Sequence, residues 1–456
     1  MKHNKKINVK IKKPVRTISG VTPLTVVLKP RKCDHGTCVY CPGGDDVPQS
    51  YTDKSPAVMR ALSLRFDPHA QVMNRLKVLN LMGHPTDKIE LIVLGGTFLQ
   101  YPVKYQYNYL KRCFDAMNGR VAKDLKQAKK WNEKARHRCV AMCIENRPDN
   151  CSAKEIERLL EFGCTRMEIG VQIPDDEIYK KINRGHTVQD VVDSSERLKN
   201  AGFKLGYHIM PGLPYSNMKK DMKMFKLIFS DERFKPDQLK IYPCQVIDNS
   251  PLANMYKRIG YVPYDQEKTK KIVNDIMKII PAYCRVMRIM REIPKDKLIK
   301  GSVKLDVRKD VEEELRKQNI EIKEIRMREI GFNRKDLDLG TTLKILKYDS
   351  SNGKEYFLEM VNKDNILFGL LRLRIAQGKA IVRELHIYGK ALEIGMKGKK
   401  SSQHTGLGKV LLKEAEKIVR KAGIKELKII SGVGVRDYYR KLGYRLKEPY
   451  VVKRLR

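Results

Sequence analysis

The strongest constraint on the fold is a regular alternation of short β-rich runs with helical stretches between about residue 21 and about residue 294. Strands that alternate with helices are typical of parallel sheets and (β/α) barrels, because parallel neighbours need a crossover connection, usually a helix. The pattern therefore predicts an α/β domain. Its predicted strands are residues 89–94, 138–145, 166–171, 205–210 and 239–242.

After residue 330 the runs become longer, at residues 356–361, 367–375 and 380–387, and a helix and two last strands follow. This pattern indicates a separate α+β domain. At 456 residues the chain also exceeds the size that one hydrophobic core usually reaches. We predict a basic arm over 1–20, a first domain over 21–294, a linker over 295–330 with a bridging helix at 311–318, and a second domain over 331–456.

The charge of the chain is strongly unbalanced, with 93 Lys and Arg against 53 Asp and Glu. A net charge of +40 indicates an anionic partner, and nucleic acid is the first candidate. The alternative is the Lys-rich surface of a heat-adapted protein, but that bias normally raises Glu together with Lys. Residues 1–32 carry ten Lys or Arg and no acidic residue, which is typical of a phosphate-binding arm.

Neither an apolar run of roughly 18 residues nor the apolar core of a signal peptide is present in the sequence, so we expect a cytoplasmic protein without a membrane span. Ten cysteines in such a chain favour thiolates and metal ligands over disulfides. Seven of them are scattered and are predicted to be buried apolar side chains. They are Cys113, Cys139, Cys143, Cys151, Cys164, Cys244 and Cys284.

The other three thiols, Cys33, Cys38 and Cys41, stand on one short loop. Structural zinc takes four ligands, and no Cys or His pair follows at zinc-finger spacing. Three thiolates suit an iron-sulfur cluster whose fourth iron stays open for a substrate. Two alternatives remain: His35 could complete a zinc site, and Cys38 and Cys41 could form a redox pair.

The cysteine loop, together with a predicted strand that ends in Gly95-Gly96-Thr97, resembles radical S-adenosylmethionine (SAM) enzymes. The spacing departs from that superfamily, with four residues and then two where three and then two are usual. In these enzymes the open iron binds SAM, and the glycine pair lets the backbone approach the SAM amino group because glycine lacks a Cβ. The alternative for the glycines is an ordinary strand-to-helix turn.

A second glycine motif, Gln403-His-Thr-Gly406-Leu-Gly408, precedes a helical apolar stripe. Glycines at a helix N-terminus offer free N–H groups and the positive end of the dipole to a pyrophosphate. The motif follows the 383–387 run and precedes Tyr438-Tyr439, an order that resembles GNAT acetyltransferases. The alternative for the tyrosines is packing on a half-buried helix.

Taken together, the chain from about Pro23 onward resembles the catalytic subunit of Elongator, the tRNA carboxymethyluridine synthase family. The resemblance implies a radical SAM partial (β/α) barrel followed by a GNAT-type α+β acetyltransferase domain. It rests on the motifs at residues 38–44, 59–61, 87–88, 164–172, 183–187, 210–214, 239–243, 384–389 and 431–439.

The resemblance also implies roles for individual residues. Lys240 matches a lysine of the radical active site, with a solvated strand-end lysine as the alternative, and it joins Tyr438 and Tyr439 as a candidate catalytic residue. Gly95, Gly96 and Thr97 are expected at SAM, and Cys33, Cys38 and Cys41 at a 4Fe-4S cluster. The residues expected at acetyl-CoA are Lys88, Glu384, Leu385, His386, Ile387, Leu407, Gly408, Lys409 and Tyr439.

The implied function is a tRNA-modifying enzyme that forms 5-carboxymethyluridine at the wobble position, in the anticodon of tRNA, from acetyl-CoA and SAM by radical chemistry. The rivals are a protein lysine acetyltransferase with a structural cluster and a non-catalytic tRNA-binding scaffold. Neither rival needs a SAM-cleaving cluster.

Two departures from the family refine the expectation. Many relatives carry a cysteine-rich zinc site between the domains, but residues 321–328 contain no thiol, so we expect no zinc there. The long N-terminal extension of the eukaryotic relatives is replaced by the basic arm, which argues against assembly into the large Elongator complex. Self-association is left open.

Overall fold

The computed structural model describes residues 11–304, 306–333, 340–389 and 406–456. Within these ranges the chain forms two seven-stranded sheets and a two-stranded ribbon. The strands are β1 Thr22–Val27, β2 Lys88–Leu94, β3 Arg138–Asn146, β4 Arg166–Gln172, β5 Lys204–Ile209, β6 Gln238–Ile241, β7 Val246–Ile247, β8 Arg285–Ile289, β9 Leu298–Lys300, β10 Thr342–Ser350, β11 Gly353–Val361, β12 Leu367–Ala376, β13 Lys379–Ile387, β14 Glu426–Ile429, β15 Arg445–Lys447 and β16 Tyr450–Arg454.

The helices connect the strands of the first sheet and cover one face of the second. They are α1 Pro56–Leu62, α2 Pro68–Leu81, α3 Val103–Asn118, α4 Leu125–Asn132, α5 Ala153–Phe162, α6 Asp176–Lys181, α7 Val188–Asn200, α8 Met218–Ser230, α9 Pro251–Met255, α10 Gln266–Ile279, α11 Val307–Lys317, α12 Ile325–Arg328, α13 Leu407–Lys421 and α14 Arg436–Arg440. Short 3₁₀ turns lie at Pro14–Thr17, Phe98–Gln100, Pro148–Asn150, Lys295–Lys297, Ile330–Phe332 and Val433–Val435.

The first sheet has the order β1-β2-β3-β4-β5-β6-β8, and every neighbouring pair is parallel. The five predicted strands are confirmed as β2 to β6, and the sheet gains β1 and β8 at its two edges. Helices such as α5 and α7 return the chain between strands, and Ser152 and Thr187 begin these two helices with capping boxes. This is the open parallel arrangement expected of a partial (β/α) barrel.

The second sheet has the order β10-β11-β12-β13-β14-β16-β15, and α13 packs against β12 and β13. Its neighbours are antiparallel except β13 and β14, which are parallel. The prediction of two strands after the helix is wrong, because β14, β15 and β16 follow it. The Arg445–Lys447 strand has three residues with polar ends and gives no hydrophobic signal in the sequence.

The segment predicted as a linker is packed against the first sheet. Helix α11 begins four residues before the predicted 311–318 helix, and it buries Val307, Val311 and Leu315 in the same core as the barrel strands. Glu324 accepts a hydrogen bond from the backbone N–H of Val286, on β8, at 2.6 Å. The segment therefore forms an added layer on the barrel, while the domain boundaries themselves stay a prediction.

The two sheets are joined through a buried ion network centred on Arg383. A β-bulge in β13 leaves Arg383 as the extra residue opposite β12, and bulges re-aim side chains. Its guanidinium donates to both carboxylate oxygens of Asp237, at the start of β6, at 2.7 Å each, and pairs with Glu355 at 3.0 Å. Although burial opposes its charge, Arg383 and Arg372 hold the pKa of Asp237 below its usual range.

Replacing Arg383 with alanine should cost about 3 kcal/mol of folding free energy, because the buried carboxylates of Asp237 and Glu355 would lose a cationic partner. The matched control is Arg233→Ala, which breaks an ion pair with Asp231 in which the arginine side chain is 54% exposed and should cost under about 1 kcal/mol. Urea unfolding midpoints test both. Because the pKa of Asp237 is depressed in the fold, its stabilising contribution is present at neutral pH and is lost as pH falls through the folded-state pKa. Equal midpoints for the two variants would contradict the network.

Candidate active site

A small cavity of about 90 Å³ lies at the C-terminal ends of the barrel strands, where ligand sites of such folds form. The cysteine loop and the residues after β2 line it together: Cys33, Cys38, Cys41, Gly96 and Thr97. Cys33 Sγ lies 3.7 Å from Thr97 Oγ1. The structure therefore brings together the two motifs on which the radical SAM resemblance rests.

Gly95 is constrained by local packing, and it is not among the residues that line the small cavity, while its expected place at SAM stays a prediction. Its φ of +134° lies in the region that favours glycine, and an added Cβ would lie 2.8 Å from the Cβ of Leu28, just after β1. Gly96 also has a positive φ, of +84°, and it does line the cavity. Of the glycine pair, Gly96 is the residue placed to face a ligand.

Cationic side chains surround Cys38 at the wall of this cavity. Arg184 Nη1 lies 3.5 Å from Cys38 Sγ, and His35 Nε2 lies 3.3 Å from it. Arg147 Nη1 lies 3.0 Å from the same His35 nitrogen. Burial opposes the thiolate, but Arg184 and His35 lower the pKa of Cys38 to about 6. The thiolate is the form that binds metals, so these neighbours favour ligation.

The spacing of the three thiols suits a cluster of several metal ions. Among the described residues, the single group of three or more metal-ligand side chains whose ligand atoms lie within 4.8 Å of one another is Glu145, Glu168 and His208. The three loop thiols thus do not all lie within 4.8 Å of one another. Three separated thiolates around a cavity fit a 4Fe-4S cluster.

A larger cavity, of about 870 Å³, lies between the opposite, N-terminal ends of the barrel strands and the second sheet. This volume is typical of sites for cofactor-sized ligands. Every residue that the resemblance assigns to acetyl-CoA lines it, and so does Tyr438. These residues are Lys88, Glu384, Leu385, His386, Ile387, Leu407, Gly408, Lys409, Tyr438 and Tyr439.

The large cavity lies where the parallel strands β13 and β14 of the second sheet separate. β13 pairs with β14 over residues 380–382, and beyond the bulge residues 384–387 face the cavity. Helix α13 begins beside them, with Gly406 at φ +91° as its N-cap. The first N–H groups of a helix have no intrahelical partner and favour anions. Residues 403–405 of the predicted motif lie outside the described part of the chain.

The two tyrosines of α14 differ in exposure. Tyr438 is 38% exposed, whereas Tyr439 is 6% exposed, and their rings meet edge to face with centroids 5.2 Å apart. The hydroxyl of Tyr438 approaches the helix start so closely that a Cβ at Gly408 would lie 2.8 Å from it. Tyr438 is therefore the more accessible hydroxyl, and Tyr439 contributes a mostly buried ring to the wall.

Charged residues that sequence reasoning missed also line the large cavity. Lys204 Nζ pairs with Glu384 at 2.7 Å and Arg372 pairs with it at 2.8 Å, so that, against the effect of burial, the pKa of Glu384 lies below its usual range. Burial lowers the pKa of Lys88 despite its neighbour Asp87. Further basic residues of the lining are Arg166, Arg285 and Lys441.

The end of the basic arm reaches this cavity too. The carbonyl oxygen of Ser19 lies 2.7 Å from His386 Nε2, so that nitrogen carries the proton and donates. Burial lowers the pKa of His386, which keeps the ring neutral near pH 7. Ser19 also donates to Glu329 at 2.6 Å. No sequence pattern predicted these contacts, because the partners lie hundreds of residues apart.

Lys240 lies inside the barrel between the two cavities. Its Nζ lies 2.7 Å from Glu145 Oε1 and contacts Glu168, and its side chain is 14% exposed. This placement contradicts the alternative of a solvated strand-end lysine. Lys240 lines neither cavity, but its partner Glu145 lines the small one, as does His208.

Two broader expectations can be compared with the structure. All seven scattered cysteines are buried and none forms a disulfide, as predicted. In the part of the chain that the structure describes, we find no helix whose length and apolar character would let it cross a bilayer.

Comparison with known proteins agrees with this geometry. Residues 27–228 match the Radical SAM superfamily, and residues 236–317 match the Radical_SAM C-terminal domain. The chain is 45% identical to the tRNA uridine(34) acetyltransferase of Dehalococcoides mccartyi, over 98% of this chain and 100% of that protein. It is 37% identical to human Elongator complex protein 3, over 97% of this chain and 86% of that protein.

A solved structure shows the same fold over nearly the whole chain. The archaeal Methanocaldococcus infernus Elp3 with an N-terminal deletion superposes with a TM-score of 0.85 at 40% identity, covering 96% of this chain and all of that one. Membership of the radical SAM superfamily implies SAM and a 4Fe-4S cluster, and the donor set at Cys33, Cys38 and Cys41 fits that group. The chain belongs to the Elongator complex protein 3 family of tRNA uridine(34) acetyltransferases, within the radical SAM superfamily.

Proposed function

We propose that this protein forms 5-carboxymethyluridine at the wobble position of tRNA from acetyl-CoA and SAM. The observation that carries the proposal is the pair of cavities on one barrel, with the cysteine loop at the C-terminal strand ends and the predicted acetyl-CoA residues at the N-terminal ends. The names of the relatives, which are tRNA uridine(34) acetyltransferases, support the substrate class.

Each cavity has a distinct task in this proposal. Cys33, Cys38 and Cys41 hold the cluster, and Gly96 and Thr97 face SAM. The loaded cluster supplies the reducing chemistry that lets SAM take hydrogen from an unactivated carbon. An acetyl methyl is such a carbon, and an ordinary acetyltransferase leaves it untouched.

In the large cavity the chain binds and orients acetyl-CoA. The N–H groups at Leu407 and Gly408 and the dipole of α13 receive the pyrophosphate, with Lys409 beside them. Residues 384–387 line the wall beside it. Tyr438 presents the accessible hydroxyl.

The net charge of +40 supports tRNA as the partner, and it predicts an affinity that is chiefly electrostatic. The logarithm of affinity should fall with the logarithm of salt concentration by roughly 0.7 to 0.9 per phosphate contact. Deleting residues 1–18 should lower the affinity and make its dependence on salt concentration less steep. The deletion leaves the contacts of Ser19 in place. Filter binding over a salt series measures both quantities, and an unchanged slope would exclude the arm from the tRNA interface.

Mass analysis of tRNA nucleosides tests the proposed function. The full chain is reconstituted anaerobically with iron and sulfide and incubated with tRNA, SAM, a reductant and acetyl-CoA. We expect 5-carboxymethyluridine that depends on both SAM and acetyl-CoA. Lysine acetylation of added protein without any modified uridine would favour the protein acetyltransferase, and binding of tRNA without either product would favour the scaffold.

A further inference from the structure

A layer of buried charges fills the barrel between the two cavities. We call it the ion layer and define it as Glu90, Glu145, Arg166, Glu168, His208 and Lys240, which stand on five successive strands from β2 to β6. Glu90 and Arg166 line the large cavity, whereas Glu145 and His208 line the small one. The ion layer therefore lies between the linings of the two cavities inside the barrel.

Glu168 is the member of the ion layer that contacts both sides. Its Oε2 contacts Lys240 Nζ and lies 3.0 Å from His208 Nε2, on the side of the small cavity. Its Oε1 lies 3.5 Å from Arg166 Nη2, on the side of the large cavity, as an ion pair without a hydrogen bond. Glu168 is 2% exposed, so it is shielded from bulk solvent.

Glu168 and Glu145 together stabilise the positively charged form of Lys240. Burial alone would lower the pKa of this lysine, but the two carboxylates raise it well above its usual range. Burial likewise opposes the charge of Glu168, whose pKa is nevertheless lowered by Lys240 and Arg166. The titratable and charged groups around Lys240 come from every neighbouring strand: Cys143 and Glu145 on β3, Glu168 on β4, His208 on β5, Tyr242 after β6 and Arg288 on β8.

Stability does not explain this arrangement. Burying ionisable groups costs several kcal/mol per ion, and well-packed apolar side chains of similar volume are often as stable or more so. The charges are also arranged across strands that are already joined by their backbone ladders. A function for the layer accounts better for its position between the two cavities.

We propose that Glu168 is a positioning residue, which holds Lys240 as an ammonium directly behind Glu145 at the wall of the small cavity and links it through Arg166 to the wall of the large one. This proposal rests on the proposed function, because the role given to Glu168 requires that Lys240 takes part in the reaction at the uridine. The proposal adds that the ammonium group of Lys240, beside the radical site, depends on the carboxylate of Glu168, which touches no substrate.

The first test uses iron-free protein and needs no activity. Acetic anhydride acetylates neutral amines, and peptide mass spectrometry gives the rate at each lysine. In Glu168→Gln one carboxylate is lost, and we expect the Lys240 rate at about pH 8 to rise roughly tenfold for each unit by which its pKa falls. In Glu90→Gln, which removes a partner of Arg166 but not of Lys240, the rate should stay unchanged.

Lys199 is the internal control for this measurement. It is fully buried, and its Nζ donates to the carbonyls of Phe234 and Lys235 at 2.7 and 2.8 Å, away from the ion layer. A general loosening of the fold would make it reactive too. The proposal is overturned if Lys240 keeps its parent rate in Glu168→Gln, or if Lys199 and Lys240 become reactive in parallel.

The second test uses reconstituted enzyme with tRNA. In Glu168→Gln we expect the modified uridine to fall at least about tenfold while release of 5'-deoxyadenosine changes by less than about twofold, because one charge-assisted interaction is lost away from the cluster. Glu168→Asp should recover part of the yield. If the parent forms no 5-carboxymethyluridine, the proposed function fails. If the parent and Glu168→Gln form it equally, the role of Glu168 fails.

Discussion

Changing Cys38 to alanine is expected to abolish the bound cluster and to lower 5'-deoxyadenosine release by at least about a thousandfold. The physical reason is that two thiolates cannot hold three of the four irons, and the chemistry belongs to the cofactor. Cys38 is also the thiol with the strongest electrostatic support, from Arg184 and His35. Iron content, visible absorbance and nucleoside analysis measure the loss.

The matched control for this variant is Cys113→Ala. Cys113 is a fully buried cysteine on α3, part of the hydrophobic core and outside the small cavity. We expect this variant to keep its iron and its activity, with a modest loss of stability. Full iron content in Cys38→Ala would show that the ligands have been wrongly assigned.

Reversing the charge of Lys409 should weaken CoA binding by about ten- to a hundredfold, which corresponds to roughly 1.4 to 2.8 kcal/mol. Lys409 lies in the first turn of α13 and lines the large cavity. A glutamate there places a negative charge beside the expected pyrophosphate. It also suits the N-terminus of the helix, so impaired folding would not explain the loss.

Lys413→Glu makes the same charge change one turn later on the same helix, at an exposed residue outside the cavity. Its effect should stay within about twofold, because an exposed charge outside the cavity interacts weakly through the high dielectric constant of water. Calorimetry with a non-reactive CoA analogue compares the two variants. Equal affinities of the two variants for the CoA analogue would show that the pyrophosphate does not bind at the start of α13.

The sequence predicts those parts of the fold whose signal is local. Residues 89–94 form a run of mostly apolar residues followed by two glycines, and they form an inner strand of the barrel, β2. The Arg445–Lys447 strand is short and polar, so it leaves no such signal. Helix α11 has the charged surface of a bridging helix, and its buried stripe of Val307, Val311 and Leu315 shows its packing only in the folded protein.

The candidate site likewise combines residues that have a local sequence signal with contacts that have none. Motif order was sufficient to predict residues that the structure gathers at the two cavities, because each motif is contiguous or lies at one strand end. The partners of their charged atoms were not predictable. Lys240 and Glu145 are 95 residues apart, and Arg184 and Cys38 are 146 apart, so only the folded barrel brings them together.

The central claim is that the two cavities act on one molecule of acetyl-CoA, and isotope transfer tests it most directly. Reconstituted enzyme is given tRNA, SAM, reductant and acetyl-CoA deuterated in the methyl group, and the released 5'-deoxyadenosine is weighed. We predict that deuterium appears in it, and that Lys88→Ala and Tyr438→Phe reduce the transfer. Unlabelled 5'-deoxyadenosine together with acetylated lysine peptides would contradict the account and favour a protein acetyltransferase with a structural cluster.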